Sequence, residues 1–256
     1  MTGRVAWISL TPVKATAVHL VDQIELLESG LAGDRRFYLV SETGRLINNK
    51  DCGPLQLVRA EYDERADVLT LHMPNGTVVS DQIERGEEVE TRFHSRSRTA
   101  RLVRGPWAQA LSSLVGEQVR VVEPGDGAAD RGRGGAATLL GTASLAALAE
   151  VLGEEQVDER RFRMNIGIDG LEAHAEDGWL GRRVAVGDAV VVPVGNVGRC
   201  VVTTQSPETG RTDLDTLKAL AAYRGTVETT EPLPFGMHAA VVEPGRVRVG
   251  DLVETL

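Results

Sequence analysis

Only two cysteines occur in 256 residues, Cys52 and Cys200, far apart and outside any Cys-x-x-Cys spacing. A structural zinc site of the usual four ligands is therefore not expected, because five scattered histidines would have to complete it. Four-thiolate iron–sulfur ligation is excluded within this chain. Long apolar runs are also missing; none approaches the ~20 residues of a membrane span. The opening MTGRVAWISL has no positive n-region followed by an apolar stretch, so no secretory signal is read there. Basic residues are the minority, 28 against 37 acidic, for a formal net charge of −9. That balance argues against a nucleic-acid partner and against an anionic membrane surface, both of which select basic faces. The resulting expectation is a cytoplasmic protein with no nucleic-acid and no membrane partner. Its 42% hydrophobic content is enough to bury a core without disulfides or metal.

What is present is mostly strand signal. Arg4 to Leu10 is short, apolar and rich in β-branched and aromatic residues. Arg36 to Ser41 reads as a second strand, with a turn at Glu42-Thr43-Gly44 and a return through Arg45 to Ile47. Val68 to Met73 and Thr77 to Ser80 flank Pro74-Asn75-Gly76, a strong hairpin signal. Val89 to Arg104 suits strands with one solvated face. Three stretches have helical spacing of apolar residues: Pro106 to Val115, Thr142 to Leu152 and Asp213 to Tyr223. Their stripes read as core packing. Gly125 to Gly135, GDGAADRGRGG, cannot bury apolar surface and is expected to be a mobile loop joining two subdomains. Val-Gly-Asp-x-Val occurs at Val186 to Val190 and again at Val249 to Val253, as at turns between barrel strands. The sequence predicts a strand-rich α+β protein with a β-barrel in its second half.

The chemistry-bearing run is Arg199-Cys200-Val201-Val202-Thr203-Thr204, followed by Pro207-Glu208-Thr209-Gly210. A cysteine beside an arginine at the mouth of a β segment can be a lowered-pKa thiolate, because a nearby cation favours the charged form. The same residues also describe a small buried apolar cysteine with a surface arginine, and on residues alone that plainer reading is the stronger.

The run R-C-V-V-T-T-x-x-P-x-T-G resembles the signature of MOSC domains, and more closely that of the mitochondrial amidoxime-reducing component and its bacterial relatives. Arg161-Phe162-Arg163-Met164-Asn165-Ile166 resembles the family's R-F-R-P-N-I. Ala175-Glu176-Asp177-Gly178-Trp179 matches its A-E-D-x-W, and Phe235-Gly236 its late F-G. In the first half, Thr11-Pro12-Val13-Lys14 resembles Y-P-V-K, and Gly30-Leu31 with Asp34-Arg35-Arg36-Phe37 resembles G-L…D-R-x-(F/W). The order is preserved over nearly the whole chain. The resemblance implies an N-terminal MOSC-associated β-barrel-like domain, residues 1–124, packed on a C-terminal MOSC β-barrel with a few helices, residues 125–256.

It also implies a molybdenum cofactor, a pyranopterin whose dithiolene holds molybdenum, with Cys200 as a further sulfur ligand to the metal; a soft thiolate suits such a centre. The cofactor's phosphate needs cations, and Lys14, Arg36, Arg163 and Arg199 stand at the matching positions. Arg35 is an adjacent candidate, Lys50 replaces an arginine of relatives, and Asn165 is available to the pterin. Asp177 lies in a matching motif, although an acid beside Gly-Trp is also an ordinary turn residue. His238, after Phe235-Gly236, is a candidate for proton transfer, with a surface histidine as the plainer alternative. Cys52 reads as incidental, and His19, His72, His94 and His174 have no partners identifiable from sequence.

The sequence departs from the family pattern at Ala15, Gly134, Gly135, Met164 and Gly198, positions where relatives carry hydroxyl residues or, at 164, proline. Each lost polar contact is worth ~1 kcal/mol. The function implied is a molybdenum-dependent oxidoreductase that reduces a small-molecule substrate of the N-hydroxylated or N-oxide class. Its electrons would come from a separate protein, such as a flavin reductase with a ferredoxin or haem protein. Two alternatives stand beside it: a carrier of the cofactor or of persulfide sulfur, and a metal-free enzyme on the same fold acting on organic sulfur compounds.

Overall fold

The computed structural model describes residues 2–93, 96–125 and 132–256. Seven strands close into a mixed barrel. Their order is Ile166–Asp169, Ala137–Gly141, Pro234–Glu243, Ala189–Gly198, Val184–Val186, Leu252–Thr255, Thr2–Leu10, and back to Ile166–Asp169. An eighth strand, His19–Val21, pairs with Thr2–Leu10 outside the ring. Strands from both sides of residue 125 thus share one sheet. Closure removes the open edges that would otherwise invite unwanted pairing. The ring is filled by Val5, Ile8, Leu139, Ile166, Val191 and Val253, with Trp179 closing it.

The two Val-Gly-Asp-x-Val phrases meet in this barrel, where Val186 pairs with Val253. Near them a small three-stranded sheet, Gly245–Arg248, Gln23–Leu27 and Gly30–Leu31, again joins the two ends of the chain. The rest of the first half forms two further sheets. One has the order Glu84–Phe93, Arg96–Arg104, Val119–Pro124, Tyr38–Ser41 and Leu46–Ile47. The other is the meander Arg59–Asp63, Val68–His72 and Val78–Gln82, whose second hairpin turns at Pro74-Asn75-Gly76. A separate core of Val13, Phe37, Leu55, Leu71, Trp107 and Val121 holds them together.

There are three α-helices among the described residues: α1 (Trp107–Val115), α2 (Thr142–Leu152) and α3 (Thr216–Arg224). Helix α2 is the crossover between the parallel strands Ala137–Gly141 and Ile166–Asp169, a connection that antiparallel neighbours do not need. It packs with α3 through Leu145, Leu148 and Leu220 over Phe162 and Phe235. The apolar spacing predicts that α3 begins at Asp213, but it begins at Thr216. The backbone N–H groups of Asp213 and Leu214 are instead committed to Thr204 O, at 3.0 and 3.3 Å, which holds that stretch as a loop.

Of the segment expected to be a mobile loop, residues 126–131 lie outside the described residues, as does His94. Gly132–Gly135 forms a short 3-10 helix. No helix among the described residues is long and apolar enough to cross a membrane.

Candidate functional site

A cavity of about 350 Å³ is lined from both halves of the chain. The second half contributes Arg199 and Cys200, at the end of strand Ala189–Gly198, and Arg161 to Asn165, at the start of Ile166–Asp169. The first half contributes Lys14, Arg35 and the turn Asn48-Asn49-Lys50. Six cationic residues and one carboxylate, Asp34, therefore line the cavity among the described residues, in a chain whose net charge is −9; one of the six, Arg161, is paired with Asp213 outside the lining. Asp34 is already neutralised. It pairs with Arg35 and accepts from Thr11 N at 2.8 Å and Asn165 Nδ2 at 2.9 Å. The net field in the cavity is positive, which suits an anionic ligand.

Backbone strain marks the same place. Six non-glycine residues among those described have positive φ, and three of them line the cavity: Ala15 at 81°, Arg35 at 46° and Arg163 at 54°. Such conformations cost on the order of 1–3 kcal/mol each and persist where the surroundings over-determine them, as at ligand clamps. Arg163 ends a 3-10 turn, Glu159–Phe162, whose start is capped by Asp158 accepting from Arg160 N at 2.9 Å. Its Nη2 reaches across to Thr16 O at 2.7 Å, and Arg35 Nη2 reaches back to Arg163 O at 2.7 Å. These crossed arginine–carbonyl bonds lock the two halves together at the cavity.

Cys200 stands at the N-terminus of the 3-10 turn Val201–Thr204 in extended geometry, partly exposed. Its neighbour Arg199 is held firmly. Nε donates to Phe235 O at 2.9 Å, Nη1 to Phe162 O at 3.0 Å and Nη2 lies 2.9 Å from Met164 Sδ. The guanidinium also sits over the Phe162 and Phe235 rings, 5.3 and 5.9 Å from their centroids. Arg199 is thus as much wall as charge. Cys52 is the other thiol; it packs on the first-half core and burial pushes its pKa up.

Of the residues singled out in the sequence, Cys200, Lys14, Arg35, Lys50, Arg163, Asn165 and Arg199 come together at the cavity. Asn165 is 3% exposed and its amide is spent on the protein: besides Asp34, Nδ2 donates to Ser9 O at 3.3 Å and Oδ1 accepts from Thr138 Oγ1 at 2.9 Å. Three candidates are placed elsewhere. Arg36 is the neighbour of a left-handed residue and turns to Glu123, 2.6 Å away. Asp177 is drawn into a pair with Arg224 and accepts from Asn196 Nδ2 at 2.8 Å, so it fastens α3 to the barrel. His238 Nδ1 lies 2.9 Å from Gly134 O, tying the Pro234–Glu243 strand to the short 3-10 helix.

Sequence reading missed Asp34, Asn49, Thr138 and Arg161 as cavity residues. Asp34 and Arg161 stand inside quoted motifs, so the motif was a signal for them; Asn49 and Thr138 are polar residues with none. Two departures have a steric explanation or a backbone one. A Cβ on Gly198 would lie 2.8 Å from Glu231 Oε2 and 2.9 Å from Pro232 O, so a serine there would force its neighbours to shift. Ala15 has a left-handed backbone, and its carbonyl accepts from Asn49 Nδ2 at 2.6 Å. The glycine ending Pro-Glu-Thr-Gly also has a reason: a Cβ on Gly210, whose φ is +66°, would lie 2.6 Å from Gly53 O. Beside that contact, Gln205 Nε2 donates to Asn49 O at 3.0 Å, joining the Cys200 segment to the Lys50 turn.

Comparison with known proteins finds two family models along the chain. The MOSC domain model matches residues 126–254 and the MOSC N-terminal beta barrel domain model matches residues 2–118. The mitochondrial amidoxime-reducing component 1 of Mus musculus is 37% identical over 124 residues, 46% of this chain and 36% of that protein. The matched segment therefore spans about a third of that relative's length. The mitochondrial amidoxime reducing component 2 of Bos taurus is 26% identical over 289 residues, covering 98% of this chain and 82% of its own. Among solved structures, the YUAD protein from Bacillus subtilis shares the fold with a TM-score of 0.51 at 13% identity, over 100% of this chain and 96% of that one.

Proposed function

The chain belongs to the MOSC domain family, and from that premise we propose that its cavity binds the molybdenum cofactor and that the protein reduces N-hydroxylated or N-oxide compounds. The observation that carries the reading is the meeting of a partly exposed thiol, Cys200, with a ring of cations in one cavity of an acidic protein. The names of the amidoxime-reducing relatives support the substrate class.

The residues present fit such a group. Lys14, Arg35, Lys50 and Arg163 would hold a phosphate, and their approach to one anion is favoured because the only facing carboxylate among the described residues is already paired. Cys200 would supply a soft sulfur ligand. Among the described residues no three His, Cys, Asp or Glu side chains converge on a metal position, so the metal's other ligands would come with the pterin. When bound, the molybdenum centre supplies the two-electron chemistry: removal of the substrate's oxygen as water takes up two electrons and two protons. A separate electron-transfer protein, a flavin reductase with a ferredoxin or haem protein, would deliver the electrons, since two distant thiols cannot build an iron–sulfur relay in this chain.

The test is elemental and pterin analysis of protein purified from a host that makes the cofactor, with turnover of an amidoxime by reduced viologen. Molybdenum near one per chain with turnover is expected. Metal-free protein that gains nothing on reconstitution overturns the reductase reading and favours the metal-free enzyme of organic sulfur. Bound cofactor or persulfide without turnover favours the carrier.

A further inference from the structure

Cys200 owes its place to a turn, and the turn is held at both ends by one 3-10 segment. At the front, Arg199 donates to the carbonyl of Phe162. At the back, Thr204 O receives the N–H groups of Asp213 and Leu214, and the Asp213 carboxylate receives both Nη atoms of Arg161, at 2.7 and 2.9 Å. Arg161 and Phe162 are consecutive. Between these ends the turn is tied internally, with Thr203 N and Oγ1 donating to Cys200 O, each at 3.1 Å, and Thr203 Oγ1 lying 2.7 Å from Thr216 Oγ1.

We infer that Arg161, acting through Asp213, is the positioning residue that fixes the Cys200 turn in the cavity. The inference rests on the reading of Cys200 as the working thiol of that cavity. The geometry of the pair is specific. Arg161 is 8% exposed, its Nε is buried with no partner, and both Nη atoms go to the Asp213 carboxylate. A bidentate guanidinium–carboxylate contact fixes direction as well as distance, which a lysine ammonium cannot do. The Asp213 side chain is 44% exposed, so without the fork water can solvate it in other orientations, and the Thr204 end of the turn loses its anchor. The preceding residue provides an internal contrast. Arg160 reaches the same segment through Glu208, but that carboxylate is 71% exposed and Arg160 is already paired with Asp158.

The experiment is alkylation of the full-length protein, produced without molybdate, by iodoacetamide at fixed pH, with Cys200 and Cys52 followed separately by mass spectrometry. Arg161→Gln and Asp213→Asn should each change the Cys200 rate about three-fold or more, and the double variant should match the single ones, as coupled residues do. Cys52, in the other core, reports general loosening; its rate should hold, and Arg160→Gln should alter neither thiol. An unchanged Cys200 rate in Asp213→Asn overturns the inference, as does a parallel change at Cys52. If Arg161→Gln does not fold, Asp213→Asn, an isosteric change at a half-exposed side chain, decides alone. These rates are read without the cofactor. A cofactor-free wild type would therefore sink the reductase reading while leaving this comparison intact.

Discussion

Asn165 Nδ2 donates a 2.9 Å hydrogen bond to Asp34 Oδ2, joining two residues 131 positions apart at the floor of the cavity. With Ser9 O and Thr138 Oγ1 taking its remaining contacts, this amide ties the barrel to the Arg35 turn. Asn165→Ala removes all three at a site 3% exposed and leaves Asp34 and Thr138 short of partners. The expected loss of stability is about 2–3 kcal/mol, read from urea unfolding. An unchanged midpoint would mean that the amide is not part of the scaffold.

Arg163 lines the cavity from a strained backbone, so its side chain and its fold role separate. Arg163→Ala loses the contact to Thr16 O and keeps the turn, which is held by backbone bonds. A charge-assisted contact is worth roughly 1.5–3 kcal/mol, so pterin retention should fall ten-fold or more while circular dichroism stays native. Native pterin content in a folded variant would remove Arg163 from the binding set.

Gly198 stands where the family resemblance leads one to expect serine, and its surroundings are tight. The added Cβ would meet Glu231 Oε2 and Pro232 O below 3.0 Å, and Gly198 N already donates to Glu231 Oε2 at 2.9 Å. Gly198→Ser should therefore lower stability by about 1–3 kcal/mol, as overpacking does, rather than add a polar contact to the cavity. A Tm equal to that of the wild type would show that the Glu231 segment yields freely.

Of the barrel strands, Arg4 to Leu10 was legible as a short apolar β-branched run, and Val184–Val186 and Ala189–Gly198 through the Val-Gly-Asp turn between them; Ala137–Gly141, Ile166–Asp169 and Pro234–Glu243 were not delimited. Helix α2 was legible to the residue because its apolar spacing and Gly153 stop agree. Helix α3 was not, because Asp213 obeys the helical pattern yet is held out by Arg161. The motifs brought Cys200, Arg163 and Lys14 to one cavity, but a motif does not say which way a side chain turns. Arg35 and Arg36 are adjacent, and only the first lines the cavity; Asp177 sits in a matched motif and binds Arg224. Long-range partners such as Glu123 for Arg36 leave no local trace in sequence.

Glu176 is fully buried, with Oε1 accepting from Gly141 N and Ser144 Oγ and Oε2 without a partner. Burial pushes its pKa above the ordinary carboxylate value. The folded state therefore keeps a proton that the unfolded chain releases, and this contribution to stability is full below the unfolded pKa and lost as pH rises through the folded one. Glu176→Gln removes that loss, so its stability relative to the wild type should grow from pH 4 towards neutrality. Nearby His174, held down to about 4 chiefly by burial, acts in the other direction in both proteins, destabilising each as pH falls from its ordinary value of 6.5. Tm measured from pH 4 to 8 on both proteins checks this; a constant difference between the two curves would contradict it.

Cys200 is where the three functional readings part. Cys200→Ser is nearly isosteric, and the thiol sits partly exposed at the start of a turn whose bonds use its backbone carbonyl rather than its sulfur. The fold should therefore survive the change. If the thiolate serves a bound metal, the variant should keep much of its pterin, because Lys14, Arg35 and Arg163 still line the cavity. Its turnover should nevertheless fall to background, since a hard oxygen ligand alters the metal's electronics. If the thiol carries persulfide sulfur, the variant should lose labelled sulfur, and the wild type should show no reductase turnover to begin with. If the cysteine only packs, stability should shift slightly and nothing else should change. Reduction of an N-hydroxylated substrate by reduced viologen, run beside molybdenum and pterin assays on both proteins, separates these outcomes. Equal turnover in Cys200→Ser and wild type would take the thiol out of the chemistry and reduce the cavity to an anion site.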